Sequence, residues 1–245
     1  MTFDYASDAF EVRADIPQAH RDAWERLAGP GTWWTGMERI AIAEEVRNAT
    51  CCVLCAERRA ALRPASIRGE HLSTTSLPPG AIEAVHRIVT DQGRITRSWV
   101  ESLTADISIG QYVELAGIVV LVFSIDEFNR GLGFDPEPLP VEVPGEPSRH
   151  RPAVLESETG FVPMVAPDGA VGDEADLWEN GRTANVLRAL TLVPNAFREW
   201  RPVAFAQYLS FQDMGNFDQP PGRSLNRMQI ELVAGRVSAV NECFY

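Results

Sequence analysis

Three of the chain's four cysteines fall within five positions of one stretch, ATCCVLCAERRAAL, residues 49–62. Cys52 and Cys55 stand in Cys-x-x-Cys spacing. At i and i+3 of a helix their β-carbons would lie about 5–6 Å apart, a short adjustment from disulfide geometry near ~4 Å. Such a pair can do three things. It can cycle between dithiol and disulfide, when one sulfur is a thiolate and its partner is close enough to resolve it. It can supply half of a tetrahedral metal site. It can also fill a helical core as two small apolar residues. A helix N-terminus and the adjacent Arg58 or Arg59 would lower a thiol pKa, which favours the first use. Zinc would need two further ligands, and no second Cys-x-x-Cys or His pair stands at ligand spacing, so neither metal nor cofactor is expected. Cys51 points away from its neighbour and is expected to pack.

Deprotonating a thiol needs a base nearby. Glu45 lies two helical turns before Cys52 on nearly the same face, and can serve if one helix runs through both. His71 and His86 follow the pair; structural or surface roles are expected for them, with His86 retained as a candidate relay. The fourth cysteine, Cys243, sits in SAVNECFY, far from the others in sequence.

The elements that must position these residues read as helices. PQAHRDAWERLAG (17–29) is amphipathic and stops at Gly-Pro-Gly. TWWTGMERIAIAEEVRNA follows, with Thr35 and Glu38 as a capping box. LPPGAIEAVHRIVTD carries proline just before a helical apolar period. RITRSWVESLTAD and SIGQYVELAGIVVLVFSIDEFNRGLG predict two more helices. The β-branched GIVVLVF within the latter would suit a strand, but its flanks are helix-compatible. From Phe134 to Thr183 the pattern dissolves: eight of the seventeen prolines lie there, predicting an extended linker draped through Phe161, Val162 and Met164. Helical pattern returns in ANVLRALTLVPNAFREWRPVAFAQYLSF and SLNRMQIELVAGRVSAVNECFY. The segments ERIAIAEEVRNATCCVLC and NRMQIELVAGRVSAVNECFY echo each other, each an Arg-led helix, a break and a cysteine. Trp33, Trp34, Trp99, Trp178 and Trp200 are expected to anchor the core or an interface.

Composition excludes some functions. With 245 residues, 45% of them hydrophobic, and a net charge of −12, the chain can bury a sizeable core but offers no basic surface for nucleic acid. The N-terminal residues are acidic where a signal peptide would be basic, and the apolar run Leu115–Ile125 is about half the roughly 20 residues a bilayer needs. A cytoplasmic protein without membrane partners is expected, where a close cysteine pair is not a permanent crosslink. No phosphate loop, Gly-x-Ser-x-Gly or His-Glu-x-x-His appears, leaving nucleotide, esterase and zincin readings without support.

RMQIELVAGRVSAVNEC resembles the core of the alkylhydroperoxidase D/carboxymuconolactone decarboxylase superfamily, with Glu231 twelve residues before Cys243. RALTLVPNAF resembles the helix preceding that core. The first half is similar in arrangement: Cys52-Val-Leu-Cys55, a Pro-initiated helix and YVELAGIVVLVFSIDEFNRGLG. The resemblance implies an all-α fold, with a helical domain over 1–133, a Pro-rich linker over 134–184 and the front of a second module over 185–245. The family's His would fall at Arg59 and its Glu at Ile40 in the first half. In the second, the motif's other cysteine would follow Tyr245.

The expectation is therefore a thiol-dependent oxidoreductase, a peroxidase-related homo-oligomer acting on a small hydroperoxide or a protein disulfide, with a dithiol as reductant. Its candidate residues are Cys52, Cys55, Glu45, His86, Glu231 and Cys243. The thiolate would attack the peroxide oxygen, become a sulfenic acid and condense with its partner. A non-redox decarboxylase-like lyase and a catalytically degenerate assembly or binding paralogue are the alternatives.

Overall fold

The computed structural model describes residues 3–157, 159–178, 183–210, 213–220, 222–241 and 243. Among them the chain is all-α, with one two-residue pair of strands. Helices α1 (Asp15–Ala28), α2 (Gly36–Thr50), α3 (Val53–Ala60), α4 (Pro79–Thr90), α5 (Arg97–Leu103) and α6 (Ile109–Leu132) come first. Strands β1 (Leu155–Glu156) and β2 (Met164–Val165) follow, then α7 (Asn185–Arg188), α8 (Pro194–Gln207) and α9 (Arg227–Val240).

The local signals act where their chemistry says they should. The Thr35 hydroxyl accepts from the Glu38 N–H and the Glu38 carboxylate accepts from the Thr35 N–H, satisfying two donors that α2 itself leaves free. Ser108 and Gln111 do the same for α6, which ends at Gly133 in the left-handed region, φ 80°. GIVVLVF is helical. It lies in α6, whose 24 residues would be long and apolar enough to cross a bilayer. Here α6 is the central helix: Leu115, Ile118, Leu121, Val122 and Ile125 are buried, and α2, α4 and α8 pack on it. Such a helix is apolar nearly all round because it is covered nearly all round.

The first part of the proline-rich stretch ties itself to the preceding chain, whereas from Val154 to Trp178 it also bonds within itself, through β1 and β2, Ala166 N–H to Val154 C=O and the Trp178 indole to Pro167 C=O. Val143 N–H donates to Ala28 C=O, Ser148 N–H to Gly31 C=O, and the Trp24 indole to Pro138 C=O. Met164 is buried and Val162 packs on the core, whereas Phe161 is exposed. Residue 158 and residues 179–182 of this stretch lie outside the described set. Beyond it, α8 packs against α1 and α6, and Val193, Ala196 and Val203 belong to the same core as Trp24 and Ile42. The close approach of α8 to α6 depends on Gly117, where an added β-carbon would come within 2.8 Å of Ala196 Cβ.

Candidate active site

The Cys-x-x-Cys pair sits at a break between two helices. Helix α2 stops at Thr50, and Cys51, at φ −113° and ψ 8°, turns the chain. Cys52 is then the N-cap of α3, extended at φ −71° and ψ 119°, and its carbonyl accepts from the Ala56 N–H at 3.1 Å. Both sulfurs therefore lie at the positive end of a fresh helix. The helical condition set for Glu45 is not met, and the expectation that Cys51 packs is corrected. No continuous helix joins Glu45 to Cys52, and Cys51 is exposed rather than packed, its thiol donating to Asn48 C=O at 3.3 Å.

Glu45 nonetheless reaches the pair, by way of another helix. Helix α4 packs on α2 and brings His86 Nε2 to 3.0 Å from Glu45 Oε2, while His86 Nδ1 faces Cys55 Sγ at 3.3 Å. Glu45 and His86 are completely buried. The other carboxylate oxygen, Glu45 Oε1, accepts from the Thr75 hydroxyl at 2.7 Å and from the Ser73 hydroxyl. Ser73 and Thr75 belong to the irregular strap between α3 and α4, which also carries His71 over the sulfurs. His71 Nδ1 is 3.4 Å from Cys55 Sγ and 3.7 Å from Cys52 Sγ. Its Nε2 is 2.8 Å from Glu83 Oε2, which also accepts from Arg58 at 2.9 Å.

Each imidazole thus has one nitrogen on a carboxylate and the other on sulfur. The carboxylate fixes the ring and holds a proton on Nε2, which leaves Nδ1 to face the thiols. Burial pushes the Cys52 thiol up, but backbone hydrogen bonds at Leu72 and Cys55, and then His71, outweigh it and bring the pKa down to about 7. Burial opposes charge on His71 too, yet its bonds to Cys55, Glu83 and Cys52 raise it well above the ordinary imidazole value. Thiolate and imidazolium hold each other in the charged form. Burial and the nearby His71 charge keep His86 lowered, so it is a neutral acceptor, although its bond to Glu45 opposes the shift. Glu45 stays ionised because hydrogen bonds from Ser73, Thr75 and His86 outweigh its burial.

The structure brings together four of the six residues singled out from the sequence: Cys52, Cys55, Glu45 and His86. The other two are not in this cluster. Glu231 on α9 accepts from the Tyr208 hydroxyl at 2.5 Å and from Arg227 at 2.7 Å, and Cys243 is exposed. Of the NECFY turn, Glu242, Phe244 and Tyr245 lie outside the described residues.

His71, expected to be structural or surface, and Glu83, Ser73 and Thr75, which were not singled out, complete the site. One signal was available for Glu83: it precedes His86 by three residues, on the same face of α4. The strap has no periodicity from which to place His71. No His pair stands at ligand spacing in the sequence, yet the fold brings His71 and His86, fifteen positions apart, onto the two sulfurs. Both Sγ atoms and one nitrogen of each of His71 and His86 lie within 4.8 Å of one another. Arg59, where a histidine was sought, is exposed.

Fold and site together define an all-α protein with a buried dithiol flanked by two carboxylate-bound histidines. No family model, no curated protein and no solved structure matches the chain.

Proposed function

We propose that the chain is a thiol-dependent oxidoreductase that reduces a small hydroperoxide, or a disulfide, through Cys52 and Cys55. The observation that carries this reading is the geometry: Cys52 at the start of α3 with the Cys55 thiol and two histidines beside it, a setting that lowers the Cys52 thiol pKa. The resemblance to the alkylhydroperoxidase D family, read from the C-terminal segment, points to the same chemistry.

In the reaction, the Cys52 thiolate attacks the terminal oxygen of ROOH. The O–O bond breaks, Cys52 becomes a sulfenic acid, and the alkoxide takes a proton from the His71 imidazolium and leaves as ROH. His86 Nδ1 then accepts the Cys55 proton, with Glu45 stabilising the imidazolium that forms. The Cys55 thiolate attacks the sulfenic sulfur, closing the disulfide, and the expelled hydroxide takes the proton back as water. A dithiol reductant restores both thiols and is itself oxidised to a disulfide. Closure requires the sulfurs to approach from within 4.8 Å to about 2.0 Å.

Access is narrow. Cys52 is buried, and the adjoining cavity of ≈ 10 Å³, lined by Cys55, Arg58, His71, Glu83 and Arg87 but not by Cys52, is about the size of one water. Hydrogen peroxide should therefore be turned over faster than bulky hydroperoxides. The test is steady-state hydroperoxide reduction with a dithiol reductant. Cys52→Ser and Cys55→Ser should each lose at least about a hundredfold in rate, and the wild-type rate in either variant would refute the reading.

A further inference from the structure

The same four side chains have the composition and spacing of a metal centre. A tetrahedral zinc ion bound at about 2.3 Å to sulfur and about 2.0–2.1 Å to nitrogen separates neighbouring S and N ligands by about 3.5–3.6 Å. Three of the four S–N separations here are 3.3 Å from Cys55 to His86, 3.4 Å from Cys55 to His71 and 3.7 Å from Cys52 to His71. These match three of the six edges of that tetrahedron, and all four ligand atoms lie within 4.8 Å of one another. A hydrogen-bonded dithiol could be served by one histidine, whereas two imidazoles converging on two sulfurs give a full donor set.

The outer contacts agree. Metal-bound histidines typically pass their second nitrogen to a carboxylate, which fixes the tautomer and the ring. Both histidines here do so, His71 to Glu83 and His86 to Glu45, and those carboxylates are held in turn by Arg58 and by Ser73 and Thr75. Two thiolates balance the charge of a dication, so the burial of the cluster carries little penalty once both are ligands. Four protein ligands fill the tetrahedron, which leaves no open position for a reacting water, and Cys52, Cys55 and His86 are buried. The S2N2 set selects a borderline-soft ion over calcium or magnesium.

We propose that Cys52, Cys55, His71 and His86 bind one zinc ion per reduced chain, in a closed tetrahedral site that masks both thiols. Binding displaces the Cys55 thiol proton, the Nδ1 proton of the His71 imidazolium and any proton left on Cys52, so that both sulfurs become zinc thiolates and both histidines neutral ligands. A hydroperoxide that oxidises the pair to a disulfide takes the two electrons, leaves as an alcohol and water, and removes both anionic ligands, so the ion is released to solution. The coordination stands on ligand geometry and does not rest on the redox reading.

The full chain, reduced and stripped of metal by a chelator, is titrated with Co2+ and then with Zn2+. One equivalent of cobalt should give tetrahedral d–d bands and a thiolate-to-cobalt charge-transfer band, and one equivalent of zinc should abolish both. The joint variant Cys51→Ser/Cys243→Ser should leave these signals unchanged, and Cys52→Ser/Cys55→Ser should remove the charge-transfer band. Glu83→Gln, which spares every ligand, should weaken binding 10–100-fold, with unchanged far-ultraviolet dichroism showing that the fold survives.

Zinc should also slow iodoacetamide alkylation of Cys52 and Cys55 by more than tenfold, read peptide by peptide, and leave Cys51 unaffected. Absence of the charge-transfer band, its persistence in Cys52→Ser/Cys55→Ser, or alkylation indifferent to zinc would each overturn the proposal. Failure of the metal-free chain to reduce hydroperoxide would instead sink the redox reading and leave the metal site standing.

Discussion

Cys52 and Cys55 are chemically the same group, yet their neighbours give them different tasks. Cys52 caps α3 beside the charged His71, whereas Cys55, one turn in, faces both Nδ1 atoms. In the metal-free protein the alkylation rate of Cys52 should therefore rise through a midpoint near pH 7, one to two pH units below an ordinary thiol. Glu83→Gln removes the carboxylate that keeps His71 charged and should move this midpoint upward. Alkylation measured from pH 5 to 10 with peptide-resolved mass spectrometry checks both. Much of this was legible at the level of single residues. The spacing marked Cys52 and Cys55, and the need for a base marked Glu45 and His86. The route between them was not legible, because it runs Glu45–His86–Cys55 across two packed helices rather than along one.

At the scale of elements, the helices with strong local chemistry could be read almost to their ends. The capping boxes at Thr35 and Ser108 and the proline start of α4 are signals written within one turn. Thr35→Ala should cost about 1 kcal/mol, measured as a lower urea midpoint at unchanged slope. The strap over residues 61–78 shows the opposite case. It is placed by tertiary contacts alone: Gly69 against Leu54, His71 on Glu83, Ser73 and Thr75 on Glu45. No repeat in its sequence announces those contacts, so half of the site was illegible.

Glu45 is also the strap's buried anchor. Glu45→Gln keeps the size but offers Ser73, Thr75 and His86 an amide in place of a carboxylate. It should lower stability by about 1–3 kcal/mol and slow resolution of the sulfenic acid more than its formation. Stopped-flow trapping of the sulfenic acid separates the two steps.

For the whole molecule, the decisive contact is a buried charge cluster that ties the later part of the chain to the earlier. Arg39 on α2 meets Glu114 on α6 at 3.7 Å and Glu199 on α8 at 2.6 Å, and Glu114 also accepts from the Trp33 N–H at 2.5 Å. Arg39 and Glu114 are almost wholly buried, and among the described residues Glu114 Oε1 and Arg39 Nε have no hydrogen-bond partner. Sequence spacing could not show this, since the three residues come from three helices and each alone reads as a surface charge on an amphipathic face.

Burial pushes the Glu114 carboxyl up to about 7, the Arg39 charge offsetting only part of the effect. The sign follows from linkage. A carboxyl whose folded pKa lies above its unfolded value near 4.5 gives a contribution that is complete below pH 4.5 and is lost as pH rises through 7. Glu83, lowered to about 2 because His71 and Arg58 outweigh its burial, works oppositely: its contribution is present above pH 4.5 and is lost as pH falls toward 2. The two windows do not overlap. Urea unfolding at pH 5 and pH 8 should therefore show the Glu114 component as a loss on the order of 1–3 kcal/mol at the higher pH. Glu114→Gln, neutral at both values, should abolish that component while keeping the acid-side loss due to Glu83. An E114Q protein with the wild-type difference between pH 5 and 8 would show that the cluster does not set stability near neutrality.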